Sequence, residues 1–414
     1  MNRARAGFSQ RGGLARRLYR RAGPARHGIN FCKFIRRLGF RSPRIHASRR
    51  ARWRLLPEMS LTPVNYLANL LRLLRGDRML APLLVSYCVT ATCNLNCRYC
   101  EDFGARRNAD AIESLSLADA KRLLGVIRQA TDSLIFTGGE PLLYPDLESL
   151  AAYARNELRF RSLTLLTNGT LLLDHQSILK HVHRLVISLD AVDPLVWDQT
   201  LRAAPGMAQV ILDTLVSVAQ SRHLSDVRLA VHCVVSPETL SQAQAVLDFC
   251  RTHRILFSCS PQSVNNWPSY GLLVSDEYRT FIARLIELKK SGALILGSLP
   301  YLRLMMNFEP YPCYPLVAPR VMPDGTLAFP CRPIERSGNA HGGHGVNLLD
   351  AGNWAEALRR SIDLYGTPPL TCGSCYQQCY AEPSLMQARP FDLLREVVAF
   401  PSSRQASIYT YAPG

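Results

Sequence analysis

The chain of 414 residues lacks any apolar run approaching the roughly twenty residues that a membrane-spanning helix requires. Its arginine-rich start also lacks the apolar stretch of a secretory signal, which argues against export. Acid is missing from the same place: seventeen of the 49 Lys and Arg, but only Glu58 of the 32 Asp and Glu, fall in residues 1–58. The remaining residues carry 32 bases against 31 acids, so the formal charge of +17 belongs to a leading segment and the body is nearly neutral. A neutral body has no basic stripe for phosphate contacts, which argues against a zinc-stabilised nucleic-acid-binding protein. No Ser-His-Asp or paired-carboxylate arrangement stands out, so hydrolysis by side chains alone is not indicated. Composition is otherwise that of an ordinary globular protein, with 47% hydrophobic and 20% charged residues.

Residues 1–58, with Arg pairs at Arg16/Arg17, Arg20/Arg21, Arg36/Arg37 and Arg49/Arg50, read as an over-extended start, Met59 being the initiator, or as a disordered basic leader. Either way they stand outside the fold. The body is expected to be cytoplasmic.

Cysteine is plentiful, and its spacing is informative. Of thirteen, Cys93, Cys97 and Cys100 form C-x3-C-x2-C, while Cys372, Cys375 and Cys379 form C-x2-C-x3-C, preceded by Cys313 and Cys331. Cys32, Cys88, Cys233, Cys250 and Cys259 stand alone and read as small buried apolar residues. In a reducing compartment close-set thiols are metal ligands sooner than disulfides. Zinc wants four tetrahedral ligands, and the first triplet has no fourth Cys or His nearby, the next histidine being His175. Three thiolates on one short loop instead suit a four-iron cluster with one iron left open.

From residue 83 the pattern alternates. Short apolar runs at 83–90, 133–137, 163–167, 184–190, 228–235 and 256–260 are separated by helix-length segments at 117–130, 146–157, 175–181, 208–222 and 237–251. An amphipathic helix at 65–74, rich in leucine, precedes them and is expected to pack on the core. Repeated β-α units predict a parallel sheet with helices outside, a partial barrel or a doubly wound sheet, with the site at the carboxyl ends of the strands. Those ends carry the cysteine loop, Thr137-Gly138-Gly139-Glu140-Pro141, Thr167-Asn168-Gly169-Thr170 and Ser188-Leu189-Asp190. Singly, each is equally a tight turn or a helix cap.

Together these residues resemble the radical S-adenosylmethionine (radical SAM) superfamily, whose C-x3-C-x2-C signature is matched by Cys93-Asn-Leu-Asn-Cys97-Arg-Tyr-Cys100. The resemblance covers roughly residues 83–261. It implies an α/β fold, a partial (β/α)6 TIM-like barrel, holding a 4Fe-4S cluster on Cys93, Cys97 and Cys100 with S-adenosylmethionine on the open iron. It also implies that Gly138, Gly139 and Glu140 meet the methionyl amino group, that Tyr99 lies by the adenine, and that Ser188 and Asp190 belong to the ribose-side strand. Asn168 and Arg202 are further candidates, the latter for the methionyl carboxylate. The cofactors would supply a 5′-deoxyadenosyl radical, leaving binding, alignment and exclusion of water to the protein.

Past residue 260 the repeats end. A helical stretch at 277–290 leads to Cys313, and 321–331 reads as two short strands around a Pro323-Asp324-Gly325 turn. This resembles the twitch and SPASM extensions of radical SAM enzymes, which hold auxiliary clusters. Only Cys313, Cys331, Cys372, Cys375 and Cys379 are available here, fewer than the two-cluster SPASM pattern needs. The expectation is one auxiliary 4Fe-4S cluster on Cys313, Cys331 and two of the last three, with structural zinc as the alternative.

The expected organisation is therefore 1–58 leader, 59–82 leading helix, 83–261 radical SAM core, 262–312 connection, 313–385 auxiliary region and 386–414 tail. The expected substrate is a peptide or small biosynthetic intermediate, with a flavodoxin or ferredoxin as electron donor. The short interval between Met59 and the first strand has no room for a leader-peptide-binding module, which lowers peptide maturation without excluding it. A non-catalytic iron–sulfur electron carrier is the rival reading, and the Gly-Gly-Glu-Pro turn speaks against it. His232 and Gln262, on or just past late strands, are candidates to face the substrate, although a strand histidine is more often a core residue. Tyr376 and Tyr380 are expected to pack over a cluster.

Overall fold

The computed structural model describes residues 61–105, 112–221, 226–336, 345–368, 373 and 375–399, all within the unit Leu55–Gly414. The leader, Cys32, Cys372, His341, His344 and the end of the tail lie outside the described residues.

The chain begins with helix α1 (Leu61–Leu74) and then alternates strand and helix: β1 (Val85–Thr90), α2 (Leu117–Arg128), β2 (Ser133–Gly138), α3 (Leu147–Asn156), β3 (Ser162–Thr167), a 3-10 segment Leu172–His181, β4 (Arg184–Ser188), α4 (Pro194–Leu201), α5 (Met207–Gln220), β5 (Arg228–Val235), α6 (Leu240–Thr252) and β6 (Leu256–Pro261). β1 to β6 are adjacent in order and parallel throughout. Their outward side chains, such as Leu134, Phe136, Leu163, Leu165, Leu185 and Ile187, are buried under the helices. Helix starts are set by short polar caps. Ser116 Oγ accepts the Asp119 N–H (3.2 Å), and Asp193 Oδ1 accepts those of Leu195 (2.9 Å) and Val196 (3.3 Å) beside Pro194 at the first helical position.

After β6 come a small hairpin of β7 (Ser263–Val264) and β8 (Trp267–Pro268), then helices α7 (Tyr270–Leu273), α8 (Asp276–Lys290) and α9 (Leu299–Asn307). The 294–296 segment borders β6, with the Phe257 N–H donating to Leu294 O (2.9 Å) and the Leu296 N–H to Phe257 O (2.8 Å). β9 (Arg320–Val321) and β10 (Leu327–Ala328) form the hairpin expected around Gly325, whose φ is +88°. Not foreseen was its partner: β9 lies parallel to β1, so the last third of the chain completes the first edge of the barrel sheet. α10 (Arg332–Arg336), α11 (Leu348–Ala351), α12 (Trp354–Tyr365), α13 (Gln378–Ala388) and α14 (Pro390–Ala399) follow. The segment set apart as a tail thus contains α14, whose buried Glu396 accepts the Leu299 N–H (2.7 Å) and pairs with buried Lys289 (3.5 Å).

The leading helix meets its expectation in part. Leu67, Leu71 and Leu74 are exposed, but Tyr66 and Leu73 pack against the buried Leu80, Leu83 and Val317, and Leu61 and Asn69 are buried. Polar ties hold α1 as well. Asp132 accepts the Leu61 N–H (2.7 Å) and the Thr62 hydroxyl (2.6 Å), a carboxylate at a helix N-terminus. Asn65 Nδ2 donates to Pro82 O and Ala130 O, each at 2.7 Å, and Asn69 bonds both backbone groups of Ala81.

Candidate active site

Inward-facing side chains of β1 to β6, the cysteine loop and the start of α13 enclose a cavity of about 380 Å3, within the usual range for a ligand site. Its upper walls include Tyr99, Cys100, Gly138, Ser188, Ser260 and, from the far end of the chain, Cys379.

The cysteine loop is tied on every side. The N–H groups of Asn96 and Arg98 donate to Leu201 O (3.2 Å) and Thr200 O (3.0 Å), using carbonyls that the end of α4 leaves without helical partners. Asn168 Nδ2 donates to Asn94 Oδ1 (2.8 Å), and Asn94 Nδ2 to Thr170 Oγ1 (2.8 Å). Asn168 thereby joins the loop to the exit of β3. Beyond Cys100, Glu101 accepts the Asn265 N–H (2.6 Å) from the rim hairpin, and Asp102 pairs with Arg320 (3.0 Å) and Arg332 (3.3 Å). Both acids follow the motif directly, yet the arginines of Asp102 are more than 200 residues away and carry no pattern that would reveal them.

Cys93, Cys97 and Cys100 are each partly exposed. Cys93 Sγ accepts the Leu95 N–H (3.5 Å) and Cys100 Sγ the Phe103 N–H (3.4 Å), contacts that favour thiolate. Burial works the other way, pushing Cys93 up to about 11 and Cys97 further, so ligation would have to displace protons. Among the described residues no three His, Cys, Asp or Glu side chains gather tightly enough for a single metal ion. The thiolates of a four-iron cluster bind separate irons, so they need not converge on a point. An all-thiol set with backbone donors to sulfur, open on one side to a cavity, fits such a cluster.

Gly138 and Gly139 owe their identity to packing. A Cβ on Gly138 would lie 2.2 Å from Thr90 O, and one on Gly139 2.1 Å from Thr92 O, so only glycine lets the exits of β1 and β2 close together. The expectation that they are glycines to admit a ligand therefore has a prior cause inside the fold. Glu140 is likewise held inside the fold. It is fully buried and accepts the Thr167 hydroxyl (2.6 Å) and the N–H groups of Asn168 (2.8 Å) and Leu142 (3.1 Å). Burial nonetheless raises it to about 7, with these donors pulling the other way. Its carboxylate is first a tie between β2 and β3, with little acceptor capacity left for a ligand.

Asp190 is also fully buried and raised to about 7 by burial, against the Tyr99 hydroxyl beside it and the Val234 N–H at 2.7 Å. The Tyr99 hydroxyl is its side-chain partner, and Asp190 itself is not among the residues of the cavity wall. Ser188 lies on the cavity wall, in register with His232. Arg202 is exposed at the left-handed C-cap of α4 (φ +50°), beside the loop but away from the cavity walls. His232 lines the cavity as a bonded histidine: its ring nitrogens meet Ser258 Oγ (3.0 Å) and Ser260 Oγ (2.9 Å), and burial lowers it to about 4, so it is neutral. Gln262 is not on the wall.

In the last third, Cys331, Cys375 and Cys379 pack with Tyr380, while buried Cys313 lies 4.0 Å from Ser384 Oγ, one helical turn further along α13. Tyr376 is fastened elsewhere, donating to Phe308 O (2.7 Å) and Glu309 O (3.0 Å). Cys88, which reads as an isolated buried residue, faces the cavity.

The family model of the radical SAM superfamily matches residues 87–250. These residues belong to that superfamily. The barrel has the fold of this superfamily, which implies a 4Fe-4S cluster and S-adenosylmethionine as cofactors. The chain is 28% identical over 166 residues to a probable GTP 3′,8-cyclase of Methanococcus maripaludis, covering 39% of this chain and 53% of that one. It thus spans about half the length of that curated relative. A structure of Streptococcus suis SuiB bound to precursor peptide SuiA superposes with a TM-score of 0.52 at 17% identity, covering 79% and 76% of the two chains. Native anSMEcpe with bound AdoMet gives 0.51 at 14% identity, covering 76% and 98%. Both likenesses are of fold. Among the described residues no helix is long and apolar enough to cross a membrane.

Proposed function

We propose that this chain reductively cleaves S-adenosylmethionine and directs the resulting radical at a C–H bond of a peptide or small biosynthetic intermediate. The observation that carries this reading is the single cavity reached by Tyr99 and Cys100 of the loop and by Gly138 and Ser188 of the strand ends. When bound, the cluster and S-adenosylmethionine supply the electron and the 5′-deoxyadenosyl group that abstracts hydrogen. Cys93, Cys97 and Cys100 would hold the cluster. Ser188 on the cavity wall is the hydroxyl-binding group of the ribose-side strand, with Asp190 behind it holding Tyr99, while the Gly138-Gly139-Glu140 backbone borders the methionyl end and Tyr99 covers the adenine side. Asn168 acts through Asn94 as a positioning residue, and Arg202 offers a charge at the outer edge. Neutral His232, held by two serines, gives the wall polarity without a mobile proton. Gln378 and Cys379 at the α13 start and Arg320 form part of the cavity wall.

The auxiliary region would hold one 4Fe-4S cluster on Cys313, Cys331 and Cys375 with either Cys372 or Cys379. The proximity of Cys331, Cys375 and Cys379 around Tyr380 supports this reading. Core boundaries at 83–261, an auxiliary region at 313–385, a flavodoxin or ferredoxin donor and a cytoplasmic setting complete the proposal. The test is iron, sulfide and zinc per chain after anaerobic reconstitution, with EPR of the reduced protein with and without S-adenosylmethionine. About eight irons and a spectrum perturbed by S-adenosylmethionine are expected. About four irons with one zinc would remove the auxiliary cluster, and an unperturbed spectrum would favour an electron carrier.

A further inference from the structure

The near-neutral charge of the body is not spread evenly over it. The connections that lead into β2 to β6, at 128–133, 155–162, 180–184, 226–228 and 251–256, hold nine Lys and Arg against three acids among the described residues. Those that leave β1 to β5, at 91–105, 138–147, 167–172, 188–194 and 235–240, hold one Arg against seven acids. Because β1 to β6 are parallel and adjacent in order, the first set gathers at the amino end of the strands and the second at the end that carries the cysteine loop. Helix dipoles account for Arg128, Arg155, Lys180 and Arg251, which sit in last helical turns. They do not account for Arg159 and Arg254, which are exposed and take the left-handed conformation (φ +54° and +56°) that favours glycine.

Helix α1 lies across this same end. Its partners Ala130, Asp132, Pro82, Leu83 and Val317 belong to segments that lead into β2, β1 and β9, which adjoin one another in the sheet. The face turned away from them carries Val64, Leu67, Leu71 and Leu74, spaced i, i+3, i+7 and i+10 along the helix and 43–61% exposed. α1 contains no acid, and Arg72 and Arg75 flank the end of its stripe. The sequence that precedes it, 1–58, has the same sign of charge, with seventeen Lys and Arg against Glu58. One end of the barrel therefore joins an apolar helical stripe over β9, β1 and β2 to a group of cations at β3 to β6.

We infer that this end of the barrel docks on the surface of an anionic lipid bilayer, with the α1 leucines entering the boundary between headgroups and acyl chains and the cations of 155–162 and 251–256 meeting lipid phosphates. The pairing of the two features decides the occupant. A nucleic acid would engage the cations and leave four aliphatic side chains in water. An apolar protein face would cover the leucines and strip water from the cations beside them. An anionic bilayer takes both, and each apolar and each basic side chain adds to its affinity. α1 would lie along the surface, as among the described residues no helix is long and apolar enough to cross a membrane. The orientation has a consequence for the site: the cysteine loop is at the opposite end of the strands, so substrate and electron donor reach it from the aqueous side. The docking does not rest on the radical reading of the cavity.

The test is co-flotation of the full reconstituted chain with vesicles of phosphatidylcholine alone or with about one-quarter phosphatidylglycerol, at about physiological ionic strength. Binding to the anionic vesicles is expected to be at least about tenfold tighter than to the neutral ones. Leu67→Ser with Leu71→Ser should weaken it at least about tenfold, and Arg159→Ser with Arg254→Ser about fivefold. Both pairs are exposed and far from the cysteine loop, so iron content, thermal melting and the EPR response to S-adenosylmethionine should equal the parent's and show that the variants are folded. No binding, equal binding to the two vesicle types, or undiminished binding in either folded variant overturns the inference, the last because it would assign the attraction to charge in 1–58 alone. So does Arg159- and Arg254-dependent binding of an RNA homopolymer in place of vesicles, or a Leu67-dependent dimer on size exclusion. A parent chain that binds anionic vesicles as expected but gives no response to S-adenosylmethionine would sink the radical reading and leave the docking standing.

Discussion

The two cysteine groups of this chain are built by opposite means. Cys93, Cys97 and Cys100 sit on one short, partly exposed loop whose backbone donates to its own sulfurs. Cys313, Cys331 and Cys375 are buried and arrive from separate segments: Cys331 and Cys375 pack with Tyr380, and Cys313 lies against Ser384 one turn further along α13. The first group is local, so its spacing alone announces it. The second is assembled by tertiary structure, and its ligand set cannot be read from spacing. Asp102 joins the two regions, since its arginines come from β9 and α10.

The largest effect should come from breaking the local group. Cys97→Ala is expected to abolish 5′-deoxyadenosine release and the EPR response to S-adenosylmethionine, and to remove about four irons, because three ligands are the minimum for this cluster type. Retained release would mean that the loop is not the cluster site. The next test sharpens the contrast. Cys375→Ala should lower iron by about four while the response to S-adenosylmethionine survives, since the two sites are built independently. Loss of both signals together would show that they are one unit.

Much of the fold was open to reading because it is periodic. All six barrel strands follow the apolar runs, whereas α4 has no counterpart in the expected pattern and 175–181 belongs to a 3-10 segment in place of the expected helix. What periodicity could not reveal is contact across the chain. Nothing in Arg320 or Val321 shows that they extend the barrel next to Ser86 and Tyr87. The leucines of α1 illustrate a second gap: Leu73 packs against a buried cluster as a helical stripe implies, but the polar bonds of Asp132, Asn65 and Asn69 that also fix the helix have no periodic signal. In the site, residue types were readable but their work was not. Glu140 and Asn168 have the composition of ligand-binding groups and the hydrogen bonds of structural ties.

The link between the two regions can be cut at Asp102. All three side chains of this cluster are mostly buried, at 13–17% exposure, so Asp102→Ala leaves two arginines without their shared acid. Stability is expected to fall by about 3 kcal/mol, measured by urea unfolding, with Asp102→Glu recovering most of it. A loss below about 0.5 kcal/mol would mean the cluster behaves as a surface pair and does not tie the regions.

The smallest expected effect separates a tie from a ligand at Glu140. Burial raises this carboxyl from its ordinary value to about 7, so the folded chain holds a proton that the unfolded chain has released across the window between those values. Stability from this group is therefore present at acid pH and declines as pH rises towards 7, by at most about 1.4 kcal/mol per pH unit. Glu140→Gln cannot ionise and removes that slope, yet its amide would set an N–H donor against one of the Leu142 and Asn168 donors. The variant should be less stable at pH 5 by about 1 kcal/mol and closer to the parent at pH 7.5. Urea unfolding at the two pH values measures both. An identical slope in parent and variant would show that burial does not raise this carboxyl's proton affinity in the folded chain.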